Sequence, residues 1–285
     1  MKKIYTLFLL TILLIISTSA NAQLMSTKIF KRPNVIMDAT FGYALPGFDY
    51  TGSRIKDFWE FKGYGVNGGY TAAFTPKVTV YNFKQGQIRT YLTVSFTQFM
   101  GSENTAYNIE KLYKNGGMVP VGWPKDTLYK SVENSDTIGS SSIRMSAPYI
   151  AYGWEVAMYT DKERRSIFNL GMDFNFSVMW GKIYDQPNGK LETYNNLISA
   201  TRMGFGFNLG YSYRFIESIG VTFGTRMQLT NVFNKHSDIV KAASDGDMEM
   251  NDQSNPTINP KLNKNRSIGF FGFYGGISFY LGGKR

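Results

Sequence analysis

The sequence predicts an all-β fold: an eight-stranded antiparallel transmembrane β-barrel with four long external loops. Three observations carry that expectation. Segments of roughly ten residues or more alternate large apolar side chains with small or polar ones, giving each strand one face for hydrocarbon and one for a polar interior. An apolar leader is followed by no apolar run long enough for a spanning helix, so a membrane protein built from this chain must be a closed barrel. The connections between the alternating segments are short and long in turn.

The leader comes first. Lys2 and Lys3 precede an apolar run from Ile4 to Ile16, and Ala20-Asn21-Ala22 follows, the three parts of a secretory signal peptide. That run is roughly 13 residues, short of the roughly 20 that span a bilayer. The expected division is therefore a signal peptide over 1–22, a periplasmic segment over 23–34, the barrel over 35–281 and a basic tail over 282–285. With no cysteine, the chain is neither a lipoprotein nor a disulfide scaffold. Its hydrophobic share is 43% and its aromatic share 16%, with 29 glycines. Mean hydropathy is nonetheless mildly negative, which suits strands that show only alternate residues to lipid. A soluble β-sandwich would alternate too, but these strands are long enough to cross a membrane.

The first strand is expected from about Val35 to Leu45, with Phe41 and Tyr43 outward, and the second from about Gly63 to Phe74, with Tyr64, Val66 and Tyr70 outward. The third runs from about Ile88 to Met100. The fourth spans about Ile143 to Tyr159, where Pro148 removes a ladder hydrogen bond and calls for a bulge or a shifted register. Phe168 to Trp180 and Met203 to Tyr213 give the most regular alternation, as the fifth and sixth strands. Ile219 to Asn231 and Ile268 to Leu281 complete the eight. Thr160–Ser166 and Phe215–Ser218 are tight turns, and Thr75–Gln87 is intermediate. Pro46–Lys62, Gly101–Ser142, Lys182–Ala200 and Phe233–Asn265 are long, so both termini fall on the periplasmic side.

A barrel of eight strands fills its lumen with side chains. The expected inward charges are Asp38, Arg89, Glu155, Asp173, Arg202, Arg214 and Arg226, amid Gly, Ser, Thr and Asn. Burial forces such charges to pair. Arg89 with Glu155, and Asp173 with Arg226 across the lumen, are the expected pairs. They form a polar filling in place of a hydrophobic core or, as the alternative, a proton or ion path.

The formal net charge of +10 falls by two when Lys2 and Lys3 leave. External charges nearly cancel. On the periplasmic side, Lys28, Lys31, Arg32, Lys77, Lys84, Lys162, Arg164, Arg165, Lys284 and Arg285 face only Asp161, Glu163 and Glu217. Such a rim suits anionic headgroups or an acidic periplasmic partner. Nucleic acid is not an expected partner. Arg144, outward at the top of the fourth strand, points toward lipopolysaccharide phosphate.

Chemistry is thin. The single histidine, His236, precedes Ser237 and Asp238, but adjacency in sequence is not a triad, and no catalytic residue is assigned. One histidine and no cysteine exclude a conventional zinc site. The acidic stretch from Asp245 to Asp252 lacks the full calcium-loop signature and reads as a solvated loop tip. No metal or cofactor is expected. Gly101–Ser142 is too long for a mere connector. Its Tyr107, Tyr113, Trp123 and Tyr129 form either a contact surface or a cap over the barrel mouth.

Tyr274, Gly276, Phe279 and Leu281 resemble the signal, polar-x-Gly-x-x-hydrophobic-x-hydrophobic, that the outer-membrane barrel assembly machinery reads on a final strand. With the leader, the eight strands and the four long loops, the chain resembles the small outer-membrane barrels of the outer membrane protein A and X type. Its Asn-Ala-Gln junction and tyrosine-rich strands look like the outer-membrane barrels of Bacteroidota. Two departures stand out: no peptidoglycan-binding domain follows the barrel, and Gly282 to Arg285 extends past the usual terminal aromatic. The resemblance implies fold and outer-membrane location, with outer-membrane lipid, lipopolysaccharide and the assembly machinery as partners. The expected function is a non-enzymatic structural, ligand-binding or envelope-complex subunit acting through its external loops. The alternatives are a lipid A-modifying enzyme centred on His236 and a narrow channel.

Overall fold

A computed structural model describes residues 29–51, 63–101, 104–105, 140–186, 193–235, 252 and 265–283. The strands are β1 (Val35–Phe48), β2 (Gly68–Phe83), β3 (Gly86–Met100), β4 (Asn104–Thr105), β5 (Ser140–Ser146), β6 (Tyr149–Tyr159), β7 (Ser166–Gln186), β8 (Thr193–Arg214), β9 (Ile219–Phe233) and β10 (Ile268–Leu281). All belong to one sheet, whose ladders between named strands are antiparallel. β5 and β6 are two halves of one barrel strand, each pairing with β3 and β7, while the short β4 pairs only with β5. The ring therefore counts eight, closed where Val35 of β1 meets Leu281 of β10.

The break between β5 and β6 lies at Ala147 and Pro148, where the sequence calls for one. Proline has no N–H to give the ladder. Ala147 N donates to Thr97 O at 2.8 Å and Val178 N to Pro148 O at 3.1 Å, so both neighbours hold the gap.

Alternation sets the faces. Along β6 every second residue from Ile150 to Met158 is exposed and every other one is buried. Phe41, Leu92, Trp154, Met172, Phe207 and Phe273 are among the large apolar side chains left outside. They form a continuous apolar outer wall, the inverse of a soluble domain.

Three expected boundaries move. First, β2 continues through Pro76 to Phe83, and the turn to β3 is only Lys84 and Gln85. Proline followed by lysine reads as a turn, but Pro76 keeps its place opposite Met37. Pairing with β3 skips Thr75 and Pro76 and resumes in the same register at Lys77, and that register shifts only at a bulge between Thr79 and Tyr81. Second, Tyr64 and Val66 precede β2 and are fully buried, not outward. Third, most of Lys182–Ala200 is strand. β7 has 21 residues and β8 has 22, against 14 in each of β1 and β10.

The extra length of β7 and β8, with β5 and β4 beside it, makes a raised fin on one side of the barrel. Its base is a bulge in β8 between Met203 and Phe205. A Cβ added at Gly204 would lie 1.7 Å from Leu229 O, so only glycine permits this approach. Beyond it, β8 separates from β9 and pairs with β7 alone.

Candidate functional site

The lumen has a polar waist and two plugged ends. The sequence expectation of polar filling holds only for the waist. At the end bearing the long connections, Tyr50, Tyr64, Phe99, Met145, Met179 and Phe270 pack into one buried apolar cluster. The Phe99 ring stands 4.8 Å from Tyr50 and 5.3 Å from Phe270, both edge to face.

Above this cluster sits Asp252, expected at a solvated tip and instead fully buried. Its carboxylate accepts from Arg202 Nε, Tyr64 Oη and Asn231 Nδ2. Its carbonyl accepts from Arg266 N at 2.6 Å. Asn231 also donates to Arg266 O and accepts from Ile268 N, which fixes the start of β10. Burial pushes the Tyr64 hydroxyl well above its ordinary pKa, and the Asp252 carboxylate pushes it further the same way. Tyr64 therefore stays a donor. Arg202 thus belongs to the loop-end closure and not to a lumen-wide network.

At the waist, Lys77 is the residue that sequence reading misplaced. Assigned to the basic rim, it points inward because β2 runs straight through Pro76. Its Nζ lies 2.9 Å from Asp38 Oδ2 and 2.8 Å from Glu155 Oε2. Arg89 Nη1 completes the row, 3.1 Å from Glu155 Oε1. Two cations and two carboxylates thus alternate, each held between β1, β2, β3 and β6. Arg89 also donates to Gln87 and Asn169.

Asp173 and Arg226 do not form the expected ion pair. Asp173 accepts from Tyr91 Oη at 3.0 Å and from Gln228, while Arg226 donates to Tyr149 Oη and Thr93 Oγ1. Tyr91 reaches from β3 past β6 to Asp173 on β7 and takes the carboxylate that Arg226 was expected to take; Asn208 of β8 donates to the Tyr91 hydroxyl in turn. The strict alternation of β3, with Arg89, Tyr91 and Thr93 on one face, was the signal that marks Tyr91 as inward.

A cavity of about 30 Å³ beside Lys77, Tyr274 and Arg226 is room for about two waters. An aqueous pore would leave the waist charges exposed, yet Arg89, Glu155 and Asp173 are buried.

The opposite end, where β1 begins and β10 ends, is closed by the chain's own residues 30–34. Phe30 is buried beneath the guanidinium groups of Arg165 and Arg214, 5.1 and 4.9 Å from its ring. Phe30 N donates to Glu163 O, and Arg214 Nη1 donates to Lys31 O at 2.8 Å. Arg32 donates to Phe83 O and Lys84 O, and Gln87 donates to Pro33 O. The segment thus touches all three turns at that end. Arg214 belongs to this closure, and Arg32, Arg164 and Arg165 are engaged with it, so the expected basic rim is smaller than its sequence count.

In the proposed assembly motif, Tyr274 faces the lumen cavity while Phe279 and Leu281 are exposed on the outer wall. A Cβ at Gly276 would meet Ala39 O at 2.0 Å. Residues 1–28, Tyr107, Tyr113, Trp123, Tyr129, His236, Ser237, Asp238 and the acidic stretch before Asp252 lie outside the described residues. Among the described residues, no cluster of three or more His, Cys, Asp or Glu side chains is placed to hold a metal.

No protein-family model matches the chain, and no curated protein matches it. Solved structures similar to it include the crystal structure of Neisserial surface protein A (NspA). That structure is 10% identical, covers 87% of this chain and 97% of its own, and has a TM-score of 0.34. Another is the crystal structure of Ail, the attachment invasion locus protein of Yersinia pestis, in complex with the heparin analogue sucrose octasulfate. It is 7% identical, covers 86% of this chain and 99% of its own, and has a TM-score of 0.32. The barrel described above stands on its own hydrogen-bond ladders.

Proposed function

We propose that this chain is a bacterial outer-membrane barrel without catalytic chemistry, which serves the envelope as a contact subunit through its loop-end fin. The observation that carries this reading is the fin itself. A barrel needed only as a membrane plug gains nothing from strands of 21 and 22 residues beside strands of 14. The fin also holds the two ends of the long connection between β3 and β5, through β4 and β5. The exposed aromatics expected on that connection would then be presented beside a rigid sheet. The apolar outer wall supports membrane embedding, and the packed lumen supports a role other than transport.

In this reading the termini lie in the periplasm, the fin faces outward from the cell, and the final strand is delivered to the assembly machinery by Tyr274, Gly276, Phe279 and Leu281. Envelope lipid surrounds the wall, and an envelope protein or surface ligand meets the fin.

The test is gentle extraction of the wild type and of a variant whose residues 181–197 are replaced by a short turn. A stoichiometric companion found with the wild type and lost from the variant supports the proposal. A companion retained by the variant moves the contact surface elsewhere. In parallel, His236→Ala should leave the lipid A mass profile unchanged; an altered profile would revive the enzyme.

A further inference from the structure

The outer wall is not uniformly bulky. Across β10, β1, β2 and β3 lies a shallow recess of about 950 Å³. Its floor is Gly275, Ala39 and Ala72, and Phe41, Phe74 and Phe96 rise around it.

The fold does not require Gly275 to be small. A Cβ built there meets only Thr222 O, at 3.9 Å, whereas a Cβ at the neighbouring Gly276 would collide with Ala39 O. The other outward residues of β10 are Phe271, Phe273, Ile277, Phe279 and Leu281, all exposed. Glycine in that row loses apolar area and gains backbone entropy to be overcome on folding. Among the described residues its cross-strand neighbours Phe41 and Phe223 are themselves exposed and leave the recess open, which points to an occupant from outside.

Charge on the same wall identifies its chemistry. Among the described strand side chains, the outward-facing charges are Arg144 and Lys182, directly opposite each other between β5 and β7. Arg144 stacks on the Tyr184 ring at 4.8 Å and meets no carboxylate among the described residues. Met100 pairs with Arg144, and it lies four residues along β3 from Phe96. That is roughly 13 Å along the strand, and Phe96, Ala72, Phe41 and Gly275 follow in one cross-strand row at roughly 4.8 Å a step. Arg144 and Gly275 therefore stand roughly 23 Å apart over the wall, a distance that the arginine side chain and an extended acyl chain span together.

We propose that this wall is a site for one phosphate-bearing acyl lipid, its headgroup at Arg144 and Lys182 and one chain lying in the recess over Gly275. The inference rests on the membrane-embedded reading above.

Native mass spectrometry of the detergent-solubilised chain tests it, with dimyristoyl phosphatidic acid and the matching diacylglycerol as probes. The wild type should retain one phosphatidic acid per chain in preference to diacylglycerol. Gly275→Phe, which fills the recess, should lower retention about tenfold or more, since displacing even two methylenes has that effect. Its melting temperature should not fall. Ala72→Leu fills the same space from another strand and covers the case in which Gly275→Phe does not fold. Arg144→Gln should remove the preference for phosphate. Wild-type retention in both filling variants, equal retention of the two probes, or a dimer in place of the lipid adduct would each overturn the proposal. Flotation with phosphatidylcholine vesicles separates the two levels. A chain that fails to insert removes the membrane reading and this site with it. One that inserts yet shows no lipid preference removes this site alone.

Discussion

The two ends of the barrel are closed by opposite strategies. At the loop end, Asp252 enters from a connection distant in sequence and neutralises the buried Arg202, with Tyr64 and Asn231 sharing the carboxylate. At the terminal end, residues 30–34 lie across three turns, held by main-chain hydrogen bonds and by arginines over an aromatic ring. A buried ion and its partner stand or fall together, because either one alone is an uncompensated charge. A strap of main-chain contacts can lift away residue by residue, leaving its groups to water. The loop end is therefore part of the cooperative unit, and the terminal end is a local closure.

The largest effect should come from Asp252→Ala. It leaves Arg202 buried without its carboxylate, and the expected loss is about 3–5 kcal/mol, read as a fall in the thermal midpoint of the detergent-solubilised barrel. A midpoint unchanged from wild type would erase the contrast between the ends.

Next is Lys77→Met at the waist, which strips the shared cation from Asp38 and Glu155 and should destabilise by roughly 3 kcal/mol. Adding Asp38→Leu should recover most of that loss, since an apolar pair needs no charge compensation. Failure of the double variant to exceed the single one would mean that the row of alternating charges is not the source of the effect.

Phe30→Ala should cost less, about 1–2 kcal/mol from two cation–π contacts. Hydrogen exchange should speed up over residues 30–34 while the barrel's thermal midpoint barely moves. A global shift as large as that of Asp252→Ala would make the two ends equivalent. The smallest quantity is the coupling between them. Asp252→Ala and Phe30→Ala together should add to within about 0.5 kcal/mol, as distant independent sites do.

Much of this was legible in the alternation. The outward row of Ile150, Tyr152, Trp154, Val156 and Met158 and the inward Arg89 and Glu155 follow from period two alone. What escaped the sequence was anything set by tertiary context. Lys77 was hidden because Pro76 looks like a turn, yet a proline whose missing N–H disturbs little of a ladder leaves a strand intact. Tyr64 and Val66 continue the alternating pattern of β2 backwards, but the chain has already left the wall and turned them inward. Asp252 carries no local signal, since one acid in an acidic stretch gives no hint of a buried arginine elsewhere. The fin was hidden for a similar reason: residues 182–186 and 193–200 are strand, but they lack the regular row of large outward apolar side chains that marks the other strands.

The central claim is that the lumen is sealed at both ends around buried charges held by ion pairs and hydrogen bonds. Planar-bilayer recording of the purified monomer, with insertion verified by vesicle flotation, tests it most directly. The sealed barrel predicts no stable stepwise current at any holding voltage. A steady open-channel conductance from the wild-type monomer would contradict it.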